Sequence, residues 1–310
     1  MTPISPPDLS VSFAGIELKN PIIAASGTFG YGIEFEDIVH LDRLGGLVVK
    51  GLSKEPMTGN PPPRLFETAA GMLNAIGLQN IGAAAFLTEK LPALREKKNV
   101  VVFANVFGYN RSDYEQTIEI LNQGEGIAAY EINVSCPNTA SGGIHFGSDP
   151  HLLDEVVRKA KHAATRPIIV KLSPNVTSIA QMAYVAQEAG ADAISLVNTF
   201  VAMAIDAETR RPRIANITAG LSGPAIKPIA LRMVYDAAHA VKIPVIGMGG
   251  ISTPADVVEF MLAGASAVQV GTASYFDPVA TETLVEELTD YCRERRIERL
   301  SDLTGGMLTD

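Results

Sequence analysis

The sequence predicts an α/β protein built as a single (β/α)8 TIM barrel, and three observations predict it. Short, continuous apolar runs recur along the 310 residues, a stretch with helical spacing follows each, and polar residues collect where the runs end. Unbroken hydrophobicity, rather than alternation, is what parallel strands covered on both faces require. Eight strand–helix units in series match a closed barrel, and the length is ordinary for one, so residues 1–310 read as one domain.

The elements follow in order. Residues 9–19, LSVSFAGIELK, alternate around Gly15 and read as a small N-terminal hairpin ahead of the barrel. Strands are expected at 21–26, 46–51, 100–106, 130–135, 167–173, 193–199, 244–250 and 267–273, each flanked by Gly, Pro, Asn or Ser. Helices are expected near 34–44, 80–97, 112–123, 150–163, 178–189, 225–240, 254–263 and 279–295. Two strand-to-helix connections are long insertions, 52–79 after the second strand and 200–224 after the sixth. Barrel sites lie on the face where strands hand over to helices, so these insertions are candidate lids and walls. An open doubly wound sheet is the alternative architecture. It would carry a nucleotide fingerprint after its first strand, where GTFGYG has its glycines at the wrong spacing.

Composition narrows the function. The net charge is −9 and the basic residues are scattered, so a polyanion such as nucleic acid is repelled over most of the surface. The N-terminus lacks a basic start followed by an apolar stretch, and no apolar run approaches the roughly 18 residues of a membrane span. The expectation is a cytoplasmic protein with no membrane partner. Cys136 and Cys292 are the two cysteines. They form no disulfide framework, they are too few for a cluster that needs about four ligands, and no metal site is expected.

The strand ends read as a list of candidate site residues: Ser26; Lys50 with Gly51; Asn105; Asn133 with Cys136; Lys171; Asn198 with Thr199; Gly249 with Gly250; and Gly271 with Thr272. The segments GMGGIS and VGTAS end the last two strands in small residues, which suits an anion such as phosphate; the bland account is that the glycines only make tight turns. Lys50 and Lys171 close apolar strands, where an unpaired ammonium is costly. Either each has an internal salt bridge or they stand beside a cofactor that becomes negative on reduction. Asn74, Asn133, Asn138 and Asn198 pair donors with acceptors, as a flat ring of alternating carbonyl and N–H groups requires. Cys136 reads equally as a small buried hydrophobe or as a positioned thiol, and nearby His145 raises a Cys–His hydrolase. Cys292, in a late helical pattern, reads as structural.

The motifs ASGTFGYG (25–32), VVKG (48–51), PRLFETAAGMLNAIGLQN (63–80), INVSCPN (132–138), VKLSPN (170–175), VNT (197–199), GLSGPAIKP (220–228), GMGGI (247–251) and VGTA (270–273) occur in this order. Together they resemble the dihydroorotate dehydrogenases, flavin enzymes of pyrimidine synthesis, over roughly residues 9–273. The TFGYG and ETAAGMLNAIGLQN stretches resemble the catalytic subunit of the NAD-linked, two-subunit type (class 1B). A membrane-bound relative would carry an N-terminal apolar extension and a serine base.

The resemblance implies that dihydroorotate is oxidised to orotate, with Cys136 as general base at C5 while a hydride passes from C6 to FMN. It implies that Lys50, Asn74, Ala75, Ile76, Gly77, Leu78, Asn133, Asn198 and Thr199, with Asn138, hold the substrate. FMN would be held by Ser26, Lys50, Gly51, Asn105, Asn133, Lys171, Val197, Gly223, Gly249, Gly250, Gly271 and Thr272. The implied partner is a subunit carrying FAD and a [2Fe–2S] cluster that passes electrons to NAD, in a heterotetramer of two catalytic and two electron-transfer subunits around a homodimer of this chain. The rivals are the fumarate-linked homodimeric type, another pyrimidine-acting flavin barrel such as the related domain of dihydropyrimidine dehydrogenase, a non-redox hydrolase or phosphate-binding barrel, and a noncatalytic binding barrel.

Overall fold

The computed structural model describes residues 6–135 and 146–309. Eight parallel strands close into a barrel: Ile22–Ala24, Gly46–Val48, Val102–Val106, Ile127–Asn133, Ile168–Lys171, Ala193–Leu196, Val245–Met248 and Ala267–Val270, the last pairing with the first. All eight fall inside the expected runs or overlap them, because residues such as Ile22, Leu47, Phe103, Ile132, Val170, Ile194, Ile246 and Val268 are buried at 0–1% exposure. The intervening helices include Arg111–Leu121, Pro150–Ala163, Ile179–Glu188, Lys227–Ala240, Pro254–Leu262 and Ala280–Arg295. Side-chain caps start several of them. Asn110 and Asp113 form one capping box and Thr253 and Asp256 another, while Asp149 and Ser178 cap two more helices.

Two helices depart from expectation. Across 34–44 the chain makes only two 3₁₀ turns, Ile33–Phe35 and Leu41–Arg43. Between them, the backbone N–H of His40 donates to Glu282 at 2.9 Å and its ring lies 2.9 Å from the same carboxylate. That tie from the last long helix holds His40 extended and ends any helix there. The segment 80–97 is helical but interrupted: a π turn, Phe86–Lys90, separates Ala83–Ala85 from Leu91–Glu96. Pro92 lacks the N–H that would close the regular turn onto Thr88, which accounts for the irregularity.

The N-terminal end of the barrel is closed by the hairpin Val11–Phe13 and Ile16–Leu18. Its turn places Ala14 and Gly15 at φ +50° and +77°, the hand that matches strand twist. Phe13 stacks on Phe103 with ring centroids 6.1 Å apart. Gly46 makes room for that ring, since a Cβ there would lie 2.7 Å from it.

At the opposite end the two long insertions build one structure. Leu65–Thr68 and Gly71–Asn74 from the first insertion join Phe200–Met203 and Thr218–Ser222 from the second in a four-stranded antiparallel sheet, with Asn74 opposite Gly220. Leu73, Ala75, Ile214 and Ala219 form a small core of its own beneath the sheet. This rim sheet walls one side of the barrel mouth. Among the described residues, no helix is long and apolar enough to cross a membrane, and no group of three or more His, Cys, Asp or Glu is placed to hold a metal.

Candidate active site

A cavity of about 490 Å³ opens at the C-terminal ends of the strands, between the barrel and the rim sheet. All the predicted site residues within the described range line it. Ser26 follows the first strand, Lys50 and Gly51 the second; Asn105, Asn133 and Lys171 come from the third, fourth and fifth; Val197, Asn198 and Thr199 follow the sixth. Gly249 and Gly250 follow the seventh strand and Gly271 and Thr272 the eighth, while Asn74, Ala75, Ile76, Gly77, Leu78 and Gly223 arrive on the insertions. Cys136, Asn138 and His145 lie outside the described residues.

The two lysines are treated differently. Lys171, 5% exposed, donates to Ser26 Oγ at 3.2 Å and stands 3.7 Å from Glu131. The ammonium of Lys50 has no hydrogen bond or ion pair among the described residues. Burial holds it below the ordinary lysine value of 10.5; the charge of Arg64 adds to this and Glu34 opposes it. A half-buried cation with no ion pair among the described residues makes the cavity attractive to an anion.

The asparagines form a connected group. Asn133 Oδ1 accepts from Ser135 Oγ at 2.8 Å and from Asn198 Nδ2 at 3.3 Å, and Asn198 Nδ2 also donates to Ser135 Oγ at 2.6 Å. The backbone N–H of Thr199 donates to Asn198 Oδ1 at 2.8 Å, so both asparagines are locked. Asn133 Nδ2 makes no hydrogen bond among the described residues. On the rim sheet, Asn74 Nδ2 donates to Gly220 O at 3.4 Å, and Thr199 packs so closely on Gly220 that a Cβ there would lie 2.0 Å from Thr199 Oγ1.

Glycines shape the side after strands seven and eight. Gly223, Gly249 and Gly250 have φ of +99°, +130° and +76°, and a Cβ on any of them would meet neighbouring atoms at 2.6–2.8 Å. Asp256 accepts from the N–H groups of Ser252 and Thr253 and pairs with Lys227 at 2.5 Å, which fixes the loop. Thr272 Oγ1 donates to Ser222 Oγ at 2.8 Å, joining the eighth strand's loop to the rim sheet.

Some lining residues escaped the sequence reading: Ser135, Gln269, Met72, Met248 and Tyr275. Fully buried Glu131, behind the wall, escaped it too. Glu131 and Gln269 had a usable signal, since each is a polar residue inside an apolar strand, two positions before Asn133 and Gly271 and so on the same face.

The family model described as "Dihydroorotate dehydrogenase" matches residues 8–291. The chain belongs to the dihydroorotate dehydrogenase family. It is 61% identical over 96% of its length to a protein of Solibacter usitatus named "Putative dihydroorotate dehydrogenase A (fumarate)", covering 98% of that protein. It is 54% identical over 98% of its length to a protein of Geotalea uraniireducens, and 53% identical over 97% to one of Geobacter sulfurreducens, covering 99% and 98% of them. Both are named "Dihydroorotate dehydrogenase B (NAD(+)), catalytic subunit". The dihydroorotate dehydrogenase match thus runs from the closing hairpin into the last long helix and takes in every strand that lines the cavity.

Proposed function

We propose that this chain oxidises dihydroorotate to orotate in pyrimidine synthesis, as the FMN-binding catalytic subunit of an NAD-linked enzyme. The observation that carries the reading is the convergence of the described predicted residues on one cavity, in a member of this family. Three features fit FMN. Gly223, Gly249 and Gly250 bring bare backbone to the cavity wall, at positive φ and in contacts that no Cβ would tolerate. Asn105 Oδ1 and Gln269 Oε1 are buried acceptors without a partner among the described residues. Lys50 and Lys171 supply positive charge. FMN, when bound, supplies the hydride acceptor; Ser26, Lys50, Gly51, Asn105, Asn133, Lys171, Val197, Gly223, Gly249, Gly250, Gly271 and Thr272 would hold it.

The chain's own residues supply the rest. The substrate is a ring of carbonyl and N–H groups with a carboxylate, so Lys50 offers the counter-charge, while Asn74, Asn133, Asn138, Asn198 and Thr199, with the backbone of Ala75, Ile76, Gly77 and Leu78, read the ring's donors and acceptors. Donors locked before substrate arrives need no reorganisation when charge develops on the ring. Cys136 takes the C5 proton in this reading; in the sequence it directly follows Ser135, which lines the cavity. Residues 1–310 act as one domain in this reading. Electrons leave through a partner carrying FAD and a [2Fe–2S] cluster, in an assembly of two catalytic and two electron-transfer subunits; the name "catalytic subunit" borne by several relatives supports such a partner.

A second reading, the fumarate-linked homodimer, is favoured by the name of the Solibacter relative. Orotate formation followed by its ultraviolet absorbance separates the possibilities. The chain alone should form orotate with an artificial dye as acceptor, and should turn over neither dihydrouracil with the dye nor dihydroorotate with NAD or fumarate alone. Steady turnover with fumarate would support the second reading, and preference for dihydrouracil would overturn the substrate assignment.

A further inference from the structure

The barrel interior holds a carboxylate that no step above uses. Glu131 is completely buried, on the fourth strand. Its Oε1 accepts from Asn105 Nδ2 at 2.7 Å and lies 3.7 Å from Lys171 Nζ; its Oε2 accepts from Gln269 Nε2 at 2.5 Å and from Ser195 Oγ at 3.0 Å. These partners stand on the third, fifth, eighth and sixth strands, so one carboxylate ties the barrel together across its width. Three of the four contacts come from groups that only donate, so the carboxylate oxygens are the acceptors in each.

That geometry has a directional consequence. An amide presents a donor at one end and an acceptor at the other. Because Glu131 accepts, Asn105 and Gln269 turn their N–H₂ ends toward it, and their oxygens are left as buried acceptors with no partner among the described residues, on two residues that line the cavity. A buried acceptor left without a partner is costly, so this arrangement favours a ligand that brings hydrogen-bond donors.

We propose that Glu131 is a positioning residue that orients Asn105 and Gln269 to accept from hydrogen-bond donors of bound FMN, its one oxidised-ring N–H and its hydroxyls, and holds the Lys171 ammonium by its negative charge. The proposal rests on the FMN reading above and assigns a cause to the cavity's polarity. Glu131→Gln keeps the shape but cannot accept at both ends. One amide must then lose its bond or turn its N–H₂ into the cavity, and Lys171 loses its counter-charge.

The test uses apo-protein reconstituted with FMN. Glu131→Gln should bind oxidised FMN about tenfold more weakly than wild type. Its preference for reduced over oxidised FMN should rise about tenfold, a positive shift of about 30 mV for a two-electron couple. Glu131→Asp, which keeps the charge but shortens the reach, should restore the potential and not the affinity. If Glu131→Gln does not fold, Gln269→Met removes one oriented acceptor and leaves both charges, and should weaken FMN binding at an unchanged potential. Wild-type affinity and potential in Glu131→Gln, or wild-type affinity in Gln269→Met, would overturn the proposal while leaving the FMN reading intact. A wild-type chain that takes up no FMN would overturn both.

Discussion

The two ends of the barrel are built from the same strands to opposite rules. At the N-terminal end, the hairpin seals the opening with aromatic stacking, Phe13 on Phe103, and Gly46 is small because a ring fills its space. At the C-terminal end, strands end in or lead to Lys50, Asn133, Lys171 and Asn198, and these polar side chains line an open cavity with the bare backbone of Gly249 and Gly250. One end lowers free energy by burial. The other keeps, among the described residues, a cation with no ion pair and two buried acceptors with no hydrogen-bond partner, which a ligand can complete. Stability and function are thus separated by about the length of a strand, and substitutions at the two ends should fail in different ways.

The largest effect is expected at the open end. Cys136→Ser should slow flavin reduction by dihydroorotate about 10²–10⁴-fold near neutral pH, with folding unchanged, and should speed up as pH rises, because a serine hydroxyl is the poorer base. Stopped-flow rates across pH check this; an unchanged rate would return Cys136 to a packing role. At the closed end, Phe103→Ala should destabilise the protein by about 3–5 kcal/mol, seen in denaturant melts, while each folded molecule keeps its rate. Loss of rate without loss of stability would erase the distinction between the ends.

Smaller effects sharpen it. Gly220→Ala should push Thr199 from its place and raise the dissociation constant for orotate roughly tenfold, about 1.4 kcal/mol, measured by titration. Lys50→Met should weaken orotate binding yet stabilise the apo-protein, raising Tm by about 2 °C. The sign follows from burial. The folded-state pKa of Lys50 lies below 10.5, so between the two values the unfolded chain binds more protons and stability rises with pH. The mutant's advantage is therefore full at neutral pH and shrinks as pH climbs through that window. A destabilised Lys50→Met apo-protein would show that Lys50 is not an uncompensated charge.

The strands were legible because burial on both faces writes itself as unbroken apolar runs, and the site because strand ends carry polar residues that a sealed barrel would not need. The pairing of the two insertions into one rim sheet was not legible. Asn74 and Gly220 are far apart in sequence, and no local pattern announces their partnership. The helix expected at 34–44 failed for a similar reason, since Glu282, remote in the chain, takes the backbone of His40. Glu131 was visible as a charge inside an apolar strand, but its meaning depended on side chains from four other strands.

The most direct measurement is the visible spectrum of the purified chain before and after anaerobic addition of dihydroorotate. A yellow protein whose flavin absorbance bleaches on adding dihydroorotate, and stays yellow with dihydrouracil, is the predicted result. A colourless protein that takes up no FMN, or a flavin that dihydroorotate leaves oxidised, would contradict it.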